Sequence, residues 1–529
     1  MSQRILYREY ARKALVKGIK IITDTVAITL GPLGRNVVLN KKQTLPQIVN
    51  DGVTIAKEVT LDDYVENVGV SLVRQVTSKT NDVAGDGTTT ATILAYAIIH
   101  RGMKNLASGV NPVALTRGIR KAVQFLEKQI IECAKPIDTA VTLAQIATVS
   151  SGNDREVGSI IANALERVGP EGIVSLEESQ YISTQLEMTH GLKLEKGFIS
   201  PHFVTNIHEE KIVQHNPYVL LTDQKITMVQ QELVPVLELV AKTNKPLLIL
   251  AEDIAGEVLS TLIINKLKGI IDVVAVRSPG FGEYRKLLLE DISIFTGSTI
   301  ISKDVGLTLG SIHLNMLGRA DKVVITRDST TIITDKNQQL VKVRCNQLRR
   351  QIEASNLEYE KEKLKNRLAK LCARAALIKV GAVTEVQMKE KKLRLEDALN
   401  ATRAAIEEGI IPGGGSTGIH LAKKLKVWSQ ENLSADELIG ALIVQQALLV
   451  PAQKIIQNAG VISSIIIDVI MNSNFEIGYD AISDSFKDMY VAGIIDPAKV
   501  LRSAIQNAAS IASMVLTAEC VILNSKNIT

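Results

Sequence analysis

Apolar residues recur at helical spacing early in the chain, at Leu15, Ile19, Ile22 and Val26 and again at Val65, Val68, Leu72 and Val76. Stripes of that period bury one face of a helix, so the N-terminal segment is predicted to be mainly helical. A short extended stretch, Val37-Val38-Leu39, separates the two stripes. From about residue 191 to 375 the texture changes to short apolar runs, Tyr218-Val-Leu-Leu221, Leu247-Leu-Ile-Leu250 and Val273-Val-Ala-Val276, divided by helical patterns and Pro/Gly turns. That alternation predicts an α/β domain. Beyond it Ala401 to Glu408 reads as helix, Pro412-Gly-Gly-Gly415 breaks the pattern, and helix returns, as at Ala441 to Leu449.

At 529 residues, the chain exceeds what one hydrophobic core usually organises, and two to four domains are expected. A hydrophobic share of 46% against 22% charged residues excludes wholesale disorder. Aromatics make up only 3%, which leaves few stacking surfaces for single-stranded nucleic acid. The formal charge of +5 comes from interspersed residues and names no partner. The longest charge run, Lys389-Glu-Lys-Lys-Leu-Arg394, reads as a solvated helix face, and no internal repeat or low-complexity tract is visible. Cys133, Cys345, Cys372 and Cys520 lie far apart without C-x-x-C spacing, as expected in a reducing compartment. The charged N-terminus lacks a secretory apolar run, and no uncharged apolar stretch reaches the ~20 residues that span a bilayer, so a soluble protein without a membrane partner is expected. No transit peptide is visible, which points to synthesis in the working compartment: bacterial cytoplasm or the stroma of an organelle with its own genome, such as a plastid.

The strongest local signal is Gly85-Asp86-Gly87-Thr88-Thr89-Thr90, opening a helix that continues through Ile93 and Ala97. Glycines admit a polyphosphate close to the backbone, a helix N-terminus favours the anion, three hydroxyls add donors, and Asp86 could hold Mg²⁺. The hexapeptide alone equally fits a glycine turn followed by threonine caps. Thr29-Leu30-Gly31-Pro32 by itself reads as a helix stop, and Gly413-Gly414-Gly415 as a hinge. No Gly-Lys dipeptide occurs, so the P-loop is absent. Gly414-Gly415-Ser416-Thr417-Gly418 matches the G-x-S-x-G elbow, but the one later histidine, His420, comes too soon for a triad. His208-Glu209 begins a zinc-protease pattern that Ile212 breaks, and no zinc site is expected.

Taken together and in order, TLGPLGRNVV, DGVTIAKEV, DVAGDGTTTATILA, VQMKEKKLRLEDALNATRAAIEEG, PGGG and GIIDPAKV resemble the group I (GroEL-type) chaperonins nearly end to end. The resemblance implies a multidomain α/β and α protein with the chaperonin fold. Residues 1–133 and 408–529 would form a helical equatorial ATP-binding and ring-contact domain, 134–190 and 376–407 a small intermediate domain, and 191–375 an α/β apical polypeptide-binding domain. It implies an ATP-dependent chaperone, with Mg²⁺ and a candidate K⁺, that captures non-native polypeptides and encloses them in a ring cavity. Its partners would be unfolded polypeptides, a small co-chaperonin (10 kDa type or its plastid equivalent) and copies of itself in stacked rings, with no nucleic acid.

By the matching motifs, the nucleotide would contact Thr29, Leu30, Gly31, Pro32, Asp86, Gly87, Thr88, Thr89, Thr90, Gly413, Gly414, Gly415, Tyr479, Asp480, Ala481 and Asp496, with Asp86 on Mg²⁺. Asp397 would be the catalytic carboxylate and Asp51 a second acid near the phosphates, since a carboxylate can orient or deprotonate an attacking water. Periodicity alone makes Leu233 to Leu237 and Leu259 to Ile264 core helices. The resemblance instead makes Val234, Leu237, Leu259, Ile263 and Ile264, with Phe198 and Phe203, a polypeptide groove. Pro136, Gly191 and Gly409 match hinge positions. Three residues depart from the pattern: His202 for an aromatic, Asn50 for a lysine near the phosphates, and Arg374 for a hinge glycine. Two rival classes share these features, a metabolic ATP-dependent enzyme and a ring scaffold with weak turnover.

Overall fold

A computed structural model describes residues 3–40, 47–137, 139–169, 173–179, 182–204, 211–302, 305–354, 358–372 and 374–524. His208 and Glu209 lie outside the described residues. The chain folds as two compact units, one of residues 1–163, 178–184 and 380–529, the other of 164–177 and 185–379. The pieces expected as an intermediate domain divide between these two: 134–163, 178–184 and 380–407 fall in the first, and 164–177, 185–190 and 376–379 in the second.

The first unit is helical. Ile19, Ile22 and Val26 on helix Arg8–Ala27 meet Val70, Val73 and Val76 on Tyr64–Ala84 in one buried core. The first stripe faces it as predicted, but of the second only Val65 and Val76 are fully buried, Val68 and Leu72 are half-buried, and Val70 and Val73 take the inward face. Asp63 and Asn111 start the helices Tyr64–Ala84 and Pro112–Cys133 by accepting from first-turn N–H groups. Helix Ala498–Thr517 runs against Tyr64–Ala84, Thr88–Ala107 and Pro112–Cys133, and it approaches closely because its inward face carries Ala504, Ala508 and Ala512. Helices Pro112–Cys133 and Ala435–Ala447 cross through glycines. A Cβ on Gly118 would sit 2.0 Å from Glu437 O, and one on Gly440 2.2 Å from Leu115 O, so neither position admits a side chain. Strands Gln3–Tyr7 and Cys520–Asn524 pair antiparallel.

One helical stretch among the described residues, Ala435–Asn458, has the length and mean hydropathy, 1.5, of a membrane-crossing helix by composition. The stretch carries Asp436, Glu437 and Lys454, so its uncharged part, Leu438 to Gln453, stays short of the ~20 residues that span a bilayer. Half of the stretch is buried, with Ala441, Val444 and Ala447 in the helical core.

The second unit is α/β, and beyond the expected 191–375 it takes in 164–177, 185–190 and 376–379. Strands Tyr218–Thr222, Leu247–Ala251, Val273–Arg277 and Ile300–Ile301 run parallel, the third beside the second, the second beside the first and the fourth on the first strand's other side. Helices Val234–Ala241, Gly256–Leu267 and Gly282–Thr296 connect them in turn. Every residue of the first two strands is buried, which is why they read as unbroken apolar runs. An antiparallel sheet places Gln185–Leu194 between Arg374–Val380 and Thr330–Ile333, followed by Lys322–Ile325 and Ile212–His215. Arg374 pairs across this sheet with His190, an ordinary strand position. Helices Gln338–Ala354 and Glu358–Cys372 pack on Gly282–Thr296.

Candidate functional site

The helical unit holds a cavity of about 330 Å³. One wall is the start of helix Thr88–Ala107. Gly85 and Gly87 before it have φ of 68° and 77°, where L side chains are strained. A Cβ on Gly85 would also lie 2.2 Å from Asn400 Cβ and one on Gly87 2.4 Å from Val500 Cγ1. No side chain caps this helix, and Thr88, Thr89 and Thr90 line the cavity. Helix Ser416–Asn432 likewise begins without a side-chain cap, after Gly415 at φ 76°. Both helix starts are therefore free to bind an anion through N–H groups and dipole. The turn Thr29–Pro32 is pinned by Asn458, whose Nδ2 donates to Ala27 O at 3.0 Å and to Leu30 O at 2.8 Å.

Of the residues the sequence singles out for this site, Thr29 to Pro32, Asp51, Asp86 to Thr90, Asp397, Gly414, Gly415, Tyr479 to Ala481 and Asp496 all line the one cavity, as does Asn50. Gly413 does not line it; its N–H bonds Ile494 O at 2.9 Å and shapes the turn from behind. Ser416 is buried and donates to Gly413 O at 2.7 Å, so it is a turn residue and not a nucleophile. Sequence reasoning missed Ser150, whose Oγ donates to Asp86 Oδ2 at 2.7 Å. The turn Ser150-Ser151-Gly152-Asn153, with Asn153 at φ 72°, was the available signal.

The cavity gathers negative charge. Burial, then Asp51 and Asp86, push the Asp397 carboxyl well above the usual range. Burial, and secondarily Asp51, raise Asp86 against the hydrogen bonds from Ser150 and Gly87. Burial and then Asp86 push Asp496 up to about 7. Asp51 caps the short helix Gly52–Glu58, accepting from Val53 N at 3.0 Å, Thr54 N at 2.8 Å and Thr54 Oγ1 at 2.7 Å. Among the described residues no lysine or arginine is ion-paired with Asp51, Asp86, Asp397 or Asp496. Arg394, on the cavity wall, is taken by Glu390. Like charges crowded in a recess favour a bound cation, while the two bare helix starts favour an anion. A polyphosphate carrying a divalent cation satisfies both. Among the described residues no three carboxylate, imidazole or thiol groups are placed to hold a metal by themselves. A metal here would be shared between Asp86 and ligand oxygens, the usual situation for Mg²⁺ on phosphates.

Hairpin Ile477–Asp480 with Ser485–Asp488 forms a further wall. The Tyr479 hydroxyl, pushed up to about 12 by burial and then by Asp484, donates to Asp484 Oδ1 at 2.6 Å. Burial works against the Asp480 carboxylate, but donors from Ser483, Lys487 and Ile482 outweigh it and hold the group down at about 2.

The expected polypeptide groove is corrected in part. Phe203 is fully buried and Leu237 is 7% exposed; both are core side chains of the α/β unit. Helix Val234–Ala241 turns Val236, Leu237 and Val240 inward, and Gly256–Leu267 turns Val258 and Leu262 inward. Phe198, Leu259 and Ile263 pack on that core while remaining partly exposed, Val234 is half-buried, and Ile264 is 50% exposed. Leu267 and Ile270, at 74% and 56% exposed, extend the apolar face beyond the residues expected.

A profile of the TCP-1/cpn60 chaperonin family matches residues 22–526. The chain is 59% identical over 522 residues to chaperonin GroEL, chloroplastic, of Gracilaria tenuistipitata var. liui, and 58% identical over 524 residues to chaperonin GroEL, chloroplastic, of Cyanidium caldarium. Each alignment covers 99% of both chains. Among solved structures, the chaperonin gp146 from the bacteriophage EL 2 (Pseudomonas aeruginosa), crystallised in the presence of ATP-BeFx, superposes with a TM-score of 0.69 at 19% identity over 99% of each chain. At that identity the likeness concerns the fold.

Proposed function

The chain belongs to the TCP-1/cpn60 chaperonin family, and from that premise we propose that it binds and hydrolyses Mg²⁺-ATP in the cavity of the helical unit to drive its work on other proteins. It assists protein folding, and its likeness to chloroplastic GroEL chaperonins supports a plastid-type member of the family whose place of work is a plastid stroma or bacterial cytoplasm. The observation that carries the ATPase reading is the convergence of unpaired Asp51, Asp86, Asp397 and Asp496 on a cavity opened by two bare helix starts.

Thr88 to Thr90 and the Gly415 turn bind the phosphates, and Asp86, steadied by Ser150, holds the metal that neutralises their charge. Asp397 orients the attacking water and takes up its proton, a role suited to a carboxyl whose proton affinity is raised by burial. Asp51 is held in place by its helix-capping bonds. With Asn50 in place of a lysine, the helix starts and the metal provide the positive potential at the phosphate end. K⁺ is a candidate second ion at that end. In the α/β unit, Val234, Leu259, Ile263, Ile264, Leu267 and Phe198 offer non-native chains an apolar surface without fixed shape demands. A small co-chaperonin competes for that surface, and copies of the chain assemble into stacked rings.

Asp397→Ala tests the reading. The variant is expected to bind Mg²⁺-ATP like the parent by calorimetry while phosphate release falls by about 100-fold or more. Turnover within a few-fold of the parent would refute the catalytic assignment.

A further inference from the structure

The hairpin beside the cavity contains a closed set of bonds that neither the hydrolysis chemistry nor phosphate binding uses. Asp480 Oδ1 accepts from Ile482 N at 3.0 Å and Ser483 N at 3.4 Å, and its Oδ2 accepts from Ser483 Oγ at 2.6 Å and Lys487 Nζ at 2.9 Å. A carboxylate has about four acceptor sites, so the hairpin alone fills Asp480. Lys487 Nζ also donates to Ser483 Oγ at 2.7 Å, and that hydroxyl meets Ser485 Oγ at 2.7 Å. Thus Lys487, on the returning strand opposite Gly478, bolts the loop 481–484 to the end of the outgoing strand. Tyr479, Asp480, Ala481 and Ile482 are the part of this hairpin that faces the cavity. Asp484 at φ 49° makes the reversal, with the Tyr479 hydroxyl on its carboxylate.

We propose that Lys487 is a positioning residue of the nucleotide site, holding the Tyr479–Ile482 wall in the shape that receives the base of ATP. The inference rests on the ATP reading above. The helix starts and acids take the phosphate end, and the remaining lining, with Ile455, Ile482 and Ile494 beside the main chain of 480–482, suits a planar heterocycle. Because Asp480 has no free acceptor, its side chain does not read the base. The exposed main chain of the loop reads it, and that main chain is in register only while Lys487 and Asp480 are joined. The Lys487 ammonium also cancels a negative charge at the edge of a cavity already crowded with acids.

The test measures steady-state hydrolysis of ATP and GTP, with ATP binding, on the full chain. Lys487 is half-exposed, so its substitution leaves the core intact. Lys487→Met is expected to raise KM for ATP roughly fivefold with kcat within about twofold, and to narrow the preference for ATP over GTP. Lys487→Arg is expected to restore both. The double variant Asp480→Asn with Lys487→Met removes the charge imbalance but not the loss of the bolt, so its KM stays at least as high as that of Lys487→Met. A parent-like KM in Lys487→Met, or recovery in the double variant, overturns the positioning role while leaving the ATPase reading intact. If the parent chain itself binds no Mg²⁺-ATP, both fall together.

Discussion

Asp496 shows how far one residue's surroundings govern its chemistry. It sits on a short strand opposite Ile411, and burial followed by the charge of Asp86 raises its carboxyl to about 7. An acid whose folded pKa exceeds its unfolded value, near 3.9, binds more protons when folded. Its contribution to stability therefore declines as pH rises from about 4 to about 8 and is constant above. In the nucleotide-free protein, Asp496→Asn is expected to gain about 2 kcal/mol over the parent between pH 5 and pH 7, read from urea midpoints, and nothing further above about pH 8. A pH-independent difference would remove Asp496 as the source. At this scale the acids themselves were legible, because Asp86 and Asp397 stand in long motifs, and so was the glycine turn. The direction of a side chain was not: nothing in Tyr479-Asp480-Ala481 says that Asp480 folds back on its own hairpin, or that Gly413 supports the turn from behind while Gly414 and Gly415 line the cavity.

Between elements, the most consequential polar contact is one the pattern could not announce. Asp291, 3% exposed on helix Gly282–Thr296, accepts from Arg367 Nε at 2.6 Å and Nη2 at 2.8 Å, and from Arg344 Nε at 2.9 Å. It thereby ties its own helix to Gln338–Ala354 and Glu358–Cys372. Asp291 and Arg367 are 76 residues apart, so sequence alone shows only a helix acid and a helix base of ordinary type. Removing one partner of a buried pair strands the other's charge, with a cost of roughly 3 kcal/mol or more. Arg367→Leu should accordingly lower the urea midpoint of the α/β unit by about that amount and leave ATP binding in the helical unit unchanged. An unaltered midpoint would mean that Arg344 alone satisfies Asp291. The strands themselves were readable because full burial leaves unbroken apolar runs, and the helical stripes because one-sided burial leaves a period.

For the whole molecule, the change of texture near 191 and 375 lies within a few residues of the ends of the α/β unit's long segment, 185–379, but gave no sign of its separate piece, 164–177. The expected intermediate pieces have only a small apolar cluster, Ile146 with Ala401, Ala405, Ile410 and Ile495, separate from the main helical core and too sparse to stand out in the sequence. The apolar face is where sequence and structure differ most, because an amphipathic pattern says that a side is buried without saying which. Ile264→Ser, at a half-exposed position, is expected to weaken capture of a denatured protein several-fold in a light-scattering aggregation assay while ATP turnover stays near the parent's. Leu237→Ser should instead unfold the α/β unit by about 2–4 kcal/mol, because it empties a packed site and buries a hydroxyl. Equal loss of capture with equal stability in both variants would contradict that distinction. The two-piece construction of the helical unit also sets an order of events on the ribosome. The α/β unit is made from nearly contiguous chain and can close as soon as it emerges. Helices Arg8–Ala27 to Pro112–Cys133, made first, must wait for Ala435–Ala447 and Ala498–Thr517 to cover them. At roughly 5–20 residues per second that wait lasts some tens of seconds. During it, the nascent chain presents the kind of uncovered apolar helix that chaperones bind.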